Sequence, residues 1–352
     1  MYSFVPLLWY RYRAHLSRAQ VAELVAPHPD TLQLVHSWLE YRRVPSSSVS
    51  VTHGGSSLRL SGVPVPRAND LLGASYQLFR HIKTNETIVR TLGYALPTAL
   101  DGHVQVVAPT TSFDSPHPQE QLEEPHKRSS REAMELAKGS SGEPMTVPSS
   151  RDDYEFTSPS FLDWIYNTWE YPLAASDQNM LGIVSFSWLY PSMVDLDLFM
   201  GRYCSTGNGA TADFDVIQVN VAKKDPIYIG LRPSIEMQYA QGMAYPTRHI
   251  FYAIGRGRSL TEDLYLTWLS YIIDEPIIPQ TILIPQGTIE NLFSREYTDF
   301  VCFLLAHLGM RGVTIVVATG DSGVGPDDCD DGNGEPRFLP FFPATCTCDP
   351  FS

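Results

Sequence analysis

A chain of 352 residues that is 43% apolar (Ala, Val, Ile, Leu, Met, Phe, Trp, Tyr, Cys) and 18% charged has room for about two globular domains. Its 25 basic and 39 acidic residues give a net charge of −14, which leaves no basic surplus to neutralise phosphates and argues against a nucleic-acid or anionic-membrane partner. No apolar run approaches the roughly 18 residues needed to span a bilayer, and MYSFVPLLWYRYR at the start lacks the basic opening and longer apolar stretch of a signal peptide.

Residues 16–112 read as a compact α+β unit. SRAQVAELVA begins at a Ser that can cap a helix, and HPDTLQLVHSWLEYRRV places Leu32, Val35 and Leu39 on one helical face after a cap at Asp30 or Thr31. SVSVTHGGSSLRLSG alternates about a Gly-Gly turn as a hairpin does. PRANDLLGASYQLFRHI resumes a helical period, and TIVRTLGYAL and HVQVVAPTT predict short β-like runs.

Residues 113–158 are rich in Ser, Pro, Glu and charge and poor in large apolar side chains, so they predict an exposed, protease-accessible linker between two domains, 1–112 and 159–352. Beyond it the pattern alternates. Short apolar runs (LGIVSFSW, DFDVIQVNVA, HIFYAIG, QTILIP, VTIVVAT) are separated by amphipathic stretches (MVDLDLFMGRY, EDLYLTWLSYIID, EYTDFVCFLLAHLGMRG). Continuous apolar strands between helices predict an α/β fold, a parallel sheet with helices on both faces.

The five cysteines (Cys204, Cys302, Cys329, Cys346, Cys348) form no CxxC pair, and their odd number leaves at least one thiol unpaired within the chain. A Cys302–Cys329 bridge is one pairing the count allows. The sequon Asn85-Glu86-Thr87 matters only in a secreted chain. DDCDDGNGE (327–335) resembles a calcium loop, but an EF-hand pattern started at Asp327 puts Cys329 at its third position and Phe338 at its twelfth, so a solvated loop is expected. The ten histidines show no H-E-x-x-H spacing and are expected at surface or partly buried positions.

VTIVVATGDSGVG contains the tetrapeptide GDSG, which raises Ser322 as a nucleophile. The α/β pattern excludes the paired β-barrels of chymotrypsin-like enzymes. Val324 two residues on breaks the G-x-S-x-G elbow of α/β-hydrolases.

Taken together, HLSRAQVAELVAP, VPVPRANDLLGASYQLFRH, TIVRTLGYALPTALDGHVQVVAPTT, SDQNMLGIVSF, MQYAQGMAYPT, EDLYLTWLSYIID and LGMRGVTIVVATGDSGVG resemble the sedolisins, or serine-carboxyl peptidases, and their fungal secreted tripeptidyl-peptidase branch. The resemblance implies a ferredoxin-like α+β prodomain over 1–112, a cleavable activation linker over 113–158 and the front part of a subtilisin-like catalytic domain over 159–352. It further implies a monomeric, extracellular zymogen acting on polypeptides at acid pH, with its own prodomain as intramolecular partner.

In that chemistry a Glu carboxylate takes the proton of a Ser hydroxyl, an Asp orients the Glu, and a second, protonated Asp donates to the oxyanion. The resemblance puts Asp321 at the oxyanion position, beside the turn-forming Gly320, Gly323 and Gly325; a mere turn cap is the other reading of Asp321. It puts Arg232 of GLRPSIEMQYA where the base Glu belongs and Glu236 where the orienting Asp belongs. A guanidinium cannot take a proton, and the i, i+4 spacing favours an Arg232–Glu236 pair instead. Pro233 fits only a first helical turn. The family's S-G-T-S-x-S nucleophile stretch and its calcium site are expected after FLPFFPATC and have no counterpart before Ser352, so a catalytically incomplete peptidase is expected, with no cofactor or metal in this chain. The alternative expectation is a non-catalytic relative that binds peptides or a partner peptidase.

Overall fold

The computed structural model describes residues 14–80, 82, 87–113, 157–168, 179–186, 189–204, 213–220, 228–255, 263–320 and 339–346. Asn85, most of the stretch expected as a linker, the acidic 327–335 run and Asp321 lie outside these residues. The chain divides into two compact units, one of residues 1–117, 256–278 and 286–352, the other of 118–255 and 279–285.

In the first unit, α1 (Arg18–Leu24) opens with a capping box: Ser17 Oγ accepts the Gln20 N–H and Gln20 Oε1 accepts the Ser17 N–H, which satisfies two of the donors a helix start leaves unpaired. α2 (Pro29–Tyr41) is capped by His28 rather than by Asp30 or Thr31, because Pro29 takes the first helical position, where its missing N–H costs nothing. The hairpin about Gly54-Gly55 pairs β1 (Val49–Thr52) with β2 (Ser57–Leu60), Val49 opposite Leu60. α3 (Val65–Leu72) stops at Gly73, in the left-handed conformation at φ +55, and Gln77–Arg80 become β3, paired antiparallel with β4 (Thr87–Arg90). The helical period expected through PRANDLLGASYQLFRHI thus ends halfway, at its glycine. HVQVVAPTT forms no strand. Leu39, Val44, Leu71 and Leu72 make the core of this α+β part, with Val35, Trp38 and Leu58 against it.

Two longer helices belong to the same unit. α7 (Leu264–Asp274) is capped by Asp263, whose Oδ1 accepts the Leu266 N–H at 2.9 Å, and α8 (Arg295–Met310) by Ser294. The residues around His15 and the 53–55 turn meet the far ends of these helices. Leu16 N–H donates to Met310 C=O at 2.9 Å, Arg18 donates to Asp274 C=O, and Arg311 donates to Ile273 C=O at 3.0 Å and to Glu275 C=O at 2.7 Å. Two guanidinium groups therefore meet the carbonyls that end α7, the negative end of its dipole. Burial, then the charge of Arg18, lowers the pKa of Arg311.

In the second unit, four strands lie parallel in the order β10 (Thr281–Ile284), β5 (Met180–Ser185), β9 (Arg248–Ile254), β7 (Asp215–Val219). The central pair is buried through Ile183, Val184 and Ile250 to Ile254, as a sheet covered on both faces requires. Between these strands run β6 (Leu189–Tyr190), α5 (Met193–Tyr203), β8 (Tyr228–Ile229) and α6 (Leu231–Ala244), and β6 pairs with β8 in parallel. α4 (Pro159–Tyr166) precedes them, with Ser158 as cap and Asn167 in the left-handed conformation as stop. Ile183, Phe251 and Ala253 of the sheet pack with Leu196, Phe199 and Met200 of α5 and Met237 of α6. Every long strand and helix expected after residue 159 is present, and the fold is α/β. Among the described residues no helix is long and apolar enough to cross a membrane.

Candidate active site

Helix α6 carries the candidate carboxylate chemistry. It starts at Gly230, where a Cβ would come within 2.8 Å of Leu189 Cδ1, so the close approach to β6 needs a glycine. Pro233 falls in the first turn, the one place a helix tolerates it. Ser234 Oγ donates to Gly230 C=O at 2.7 Å and accepts the Ser192 N–H at 3.0 Å, which fastens the first turn of α6 to the start of α5. Pro233, Ser234, Met237 and Gln241 face inward at helical spacing, whereas Leu231 and Ile235 face out.

Arg232 and Glu236 lie between those faces, one turn apart on the same flank, both half-buried. Both carboxylate oxygens of Glu236 are shielded from solvent. The flank thus holds one carboxylate and one permanent cation rather than two carboxylates.

Below this flank Tyr239 packs against Phe199 in a tilted pair, 5.4 Å between ring centres, and donates to Thr157 C=O. Its phenol pKa is raised, chiefly by burial and then by Tyr203. His249, at the start of β9, is fully buried. Burial lowers its pKa against the opposing effect of the Ala240 and Thr247 backbones. His249 and His307 are both fully buried, which corrects the expectation of surface or partly buried histidines: each falls on the inward face of a strand or helix whose pattern their neighbours set.

The other candidate residue, Asp321, follows β11 (Thr314–Val317) and Gly320. Gly320 has φ +87, a conformation that favours glycine, as the expected turn requires. Asp321 itself is outside the described residues, so its relation to Arg232 and Glu236 is not on view. The cysteines differ from the Cys302–Cys329 pairing: Cys302 of α8 is bonded to Cys346, 44 positions further along the sequence, with their Cα atoms 5.2 Å apart. Cys204 is a free thiol whose pKa is raised by burial and then by Asp163. Among the described residues no three His, Cys, Asp or Glu side chains gather as a metal site needs.

Residues 10–113 match the family model of the Pro-kumamolisin activation domain. Tripeptidyl-peptidase SED2 of Arthroderma otae is 26% identical over 351 residues, covering 96% of this chain and 57% of that protein, and tripeptidyl-peptidase SED4 of the same fungus is 24% identical over 351 residues, covering 95% and 55%. The chain is thus similar along nearly its whole length to fungal tripeptidyl-peptidases, with an activation-domain match over its first third. It spans little more than half the length of these relatives. Pseudomonas sedolisin, a serine-carboxyl proteinase solved with two molecules of pseudo-iodotyrostatin, overlaps 54% of this chain and 51% of its own at 18% identity and a TM-score of 0.40.

Proposed function

We propose that this polypeptide is the zymogen-type front part of an extracellular, acid-acting tripeptidyl-peptidase of the sedolisin kind, and that as it stands it does not hydrolyse peptides by the family's carboxylate relay. One observation carries the reading: the helix flank that should present Glu and Asp one turn apart presents Arg232 and Glu236. A guanidinium has no lone pair free to accept a proton, so no group at position 232 can take the proton of a serine hydroxyl. Asp321, following the Gly320 turn, is assigned the oxyanion role, in which a protonated carboxyl donates to the developing negative charge. Residues 113–158 are assigned the activation linker between a prodomain and the peptidase part.

Arg232 also favours a second reading, a non-catalytic relative that binds a peptide or a partner peptidase. The two share a test. The purified polypeptide, incubated at acid pH with a tripeptidyl-amide substrate, is expected to release no more product than a heat-treated control. Turnover that disappears in Ser322→Ala would overturn the proposal and restore Ser322 as nucleophile. Absence of turnover together with saturable binding of the same peptide would favour the binding relative.

A further inference from the structure

Strand β4 ends on a buried cation. Arg90, its last residue, donates from Nε to Ser112 C=O at 2.6 Å and from Nη1 to Val89 C=O at 2.9 Å. An arginine is rarely buried, and its charge is costly there unless hydrogen-bonded, so the guanidinium depends on a carbonyl 22 residues further along the chain. Burial raises the pKa of the Tyr76 phenol and, with Asp263, that of Tyr297, and in both the charge of Arg90 opposes the rise.

Neighbours of Arg90 fasten the rest of that segment. Thr91 N–H donates to Thr110 C=O at 3.0 Å, Thr110 Oγ1 donates to Val107 C=O at 2.6 Å, and Val107 N–H donates to Tyr94 Oη at 3.3 Å. Val107 packs against the Leu39 core, and Thr91, Thr110 and Ser112 are buried. Phe113 closes the run, edge-on to Phe79 of β3 with ring centres 4.8 Å apart. The anchors Phe79, Arg90, Thr91 and Tyr94 all lie in or just after the β3–β4 hairpin, so residues 107–113 are strapped to one hairpin although no ladder forms. A protease takes an extended, accessible segment, and backbone tied down in this way resists cutting until it detaches.

We propose that residues 107–113 are the protected end of the activation domain and that Arg90 is the clasp that holds it, so that proteolytic processing of this chain begins only beyond Phe113. The inference rests on the activation-linker role assigned to residues 113–158. With the clasp closed, a processing peptidase leaves the hairpin and its strap as one piece. With it open, cuts within 107–113 part Thr110 and Ser112 from Thr91 and Arg90, and the buried guanidinium loses the Ser112 carbonyl as an acceptor.

The test is limited proteolysis of the whole 352-residue chain with proteinase K, which has little sequence preference, the fragments being read by mass spectrometry. Amide exchange is followed at Thr91 and at Val44, whose N–H donates to Leu39 C=O at 2.9 Å and reports whether the core of the α+β part stays folded. In wild type the N-terminal fragments are expected to end beyond residue 113. Arg90→Met, which keeps the length of the side chain and loses its donors, is expected to yield fragments ending within 107–113. It should also speed both that cutting and exchange at Thr91 about tenfold or more, with Val44 unchanged. Arg90→Lys, with one donor group in place of the fork, should fall between the two. Phe79→Leu, which removes the ring beside Phe113 and keeps the clasp, should admit cuts at 112–113 only. If Arg90→Met loses protection at Val44, and so does not fold, Arg90→Lys and Phe79→Leu carry the test. Wild-type cutting within 107–113 as early as within 114–158, or unchanged protection in the folded variants, would overturn the proposal. First cuts outside 114–158 in wild type, with 107–113 intact there and opened in Arg90→Met, would uphold the clasp and reject the linker role.

Discussion

Asp274, the last residue of α7, accepts the Gly54 N–H on Oδ1 at 3.3 Å, so the turn of the β1–β2 hairpin and the end of a helix more than two hundred residues away share one side chain. Gly54 has φ +65, and a Cβ there would touch Ile273 Cγ2 at 3.4 Å. Gly62, at φ +71 with nothing near it, isolates the backbone cost alone. Gly62→Ala is expected to lower stability by about 1–2 kcal/mol, the penalty of a left-handed conformation in a residue with a Cβ. Gly54→Ala is expected to cost about the same 1–2 kcal/mol, because a Cβ there meets Ile273 only at ordinary van der Waals distance, and denaturant unfolding compares the two variants. A clearly larger cost at Gly54 would show that the hairpin turn cannot accommodate a methyl group against α7.

Helix starts were readable where a short polar side chain precedes the apolar period. Ser17, Ser192, Asp263 and Ser294 all accept the N–H three residues on, an interaction wholly local in sequence. The buried strands of the parallel sheet were equally plain, since β9 is apolar along nearly its whole length. Misreadings came where a local stop competed with a continuing period, as at Gly73, or where apolar residues pack without a ladder partner, as in HVQVVAPTT. The candidate site divides the same way. The order of Arg232, Pro233 and Glu236 on α6 follows from spacing and resemblance, whereas the Cys302–Cys346 pairing and the burial of His249 are set by contacts across dozens of residues that no local pattern encodes.

His249 makes the fold sensitive to acid. Its folded pKa is lowered by burial, so protonation is easier in the unfolded chain, whose ordinary value is about 6.5. Stability from this residue is therefore complete above about pH 6.5 and declines as pH falls, by at most about 1.4 kcal/mol per pH unit until the folded pKa is reached. His249→Gln, which cannot charge, should flatten the acid limb of a stability-against-pH curve measured by denaturant unfolding. An acid limb of unchanged slope in this variant would assign the sensitivity to other groups.

Removing the Cys302–Cys346 bond should cost about 2–4 kcal/mol, because it closes a loop of intermediate length in the unfolded chain. Thermal unfolding with and without a thiol reductant measures this in wild type, and the Cys302→Ser, Cys346→Ser variant should lose the dependence on reductant. A reductant effect that survives the double substitution would point to the other cysteines.

Arg232 limits any repaired enzyme. In a chimera extended with the remaining part of the Arthroderma otae SED2 chain, Arg232→Glu with Glu236→Asp is expected to raise kcat by the roughly 10²–10⁴-fold typical of a positioned base. Asp321→Asn in the same repaired chimera should lower it by about 10²–10³-fold. Steady-state kinetics of the three forms checks both, and equal rates before and after the Arg232 and Glu236 changes would place the base elsewhere.

The strand order has a consequence for how the molecule is made. β5 lies inside the sheet, yet Leu181 finds its partners only at His249 on one side and Thr281 on the other. A ribosome must therefore add about a hundred residues, several seconds or more of synthesis at typical rates, before both edges of that strand can be satisfied. Throughout this interval the β1–β2 and β3–β4 hairpins, whose pairings are short-range, can already form outside the exit tunnel, while Leu16, Arg18 and Gly54 still wait for their partners at Met310 and Asp274. The nascent chain thus carries an apolar strand with open edges behind a unit that lacks its two long helices, and this interval is when it is most open to chaperones and to aggregation.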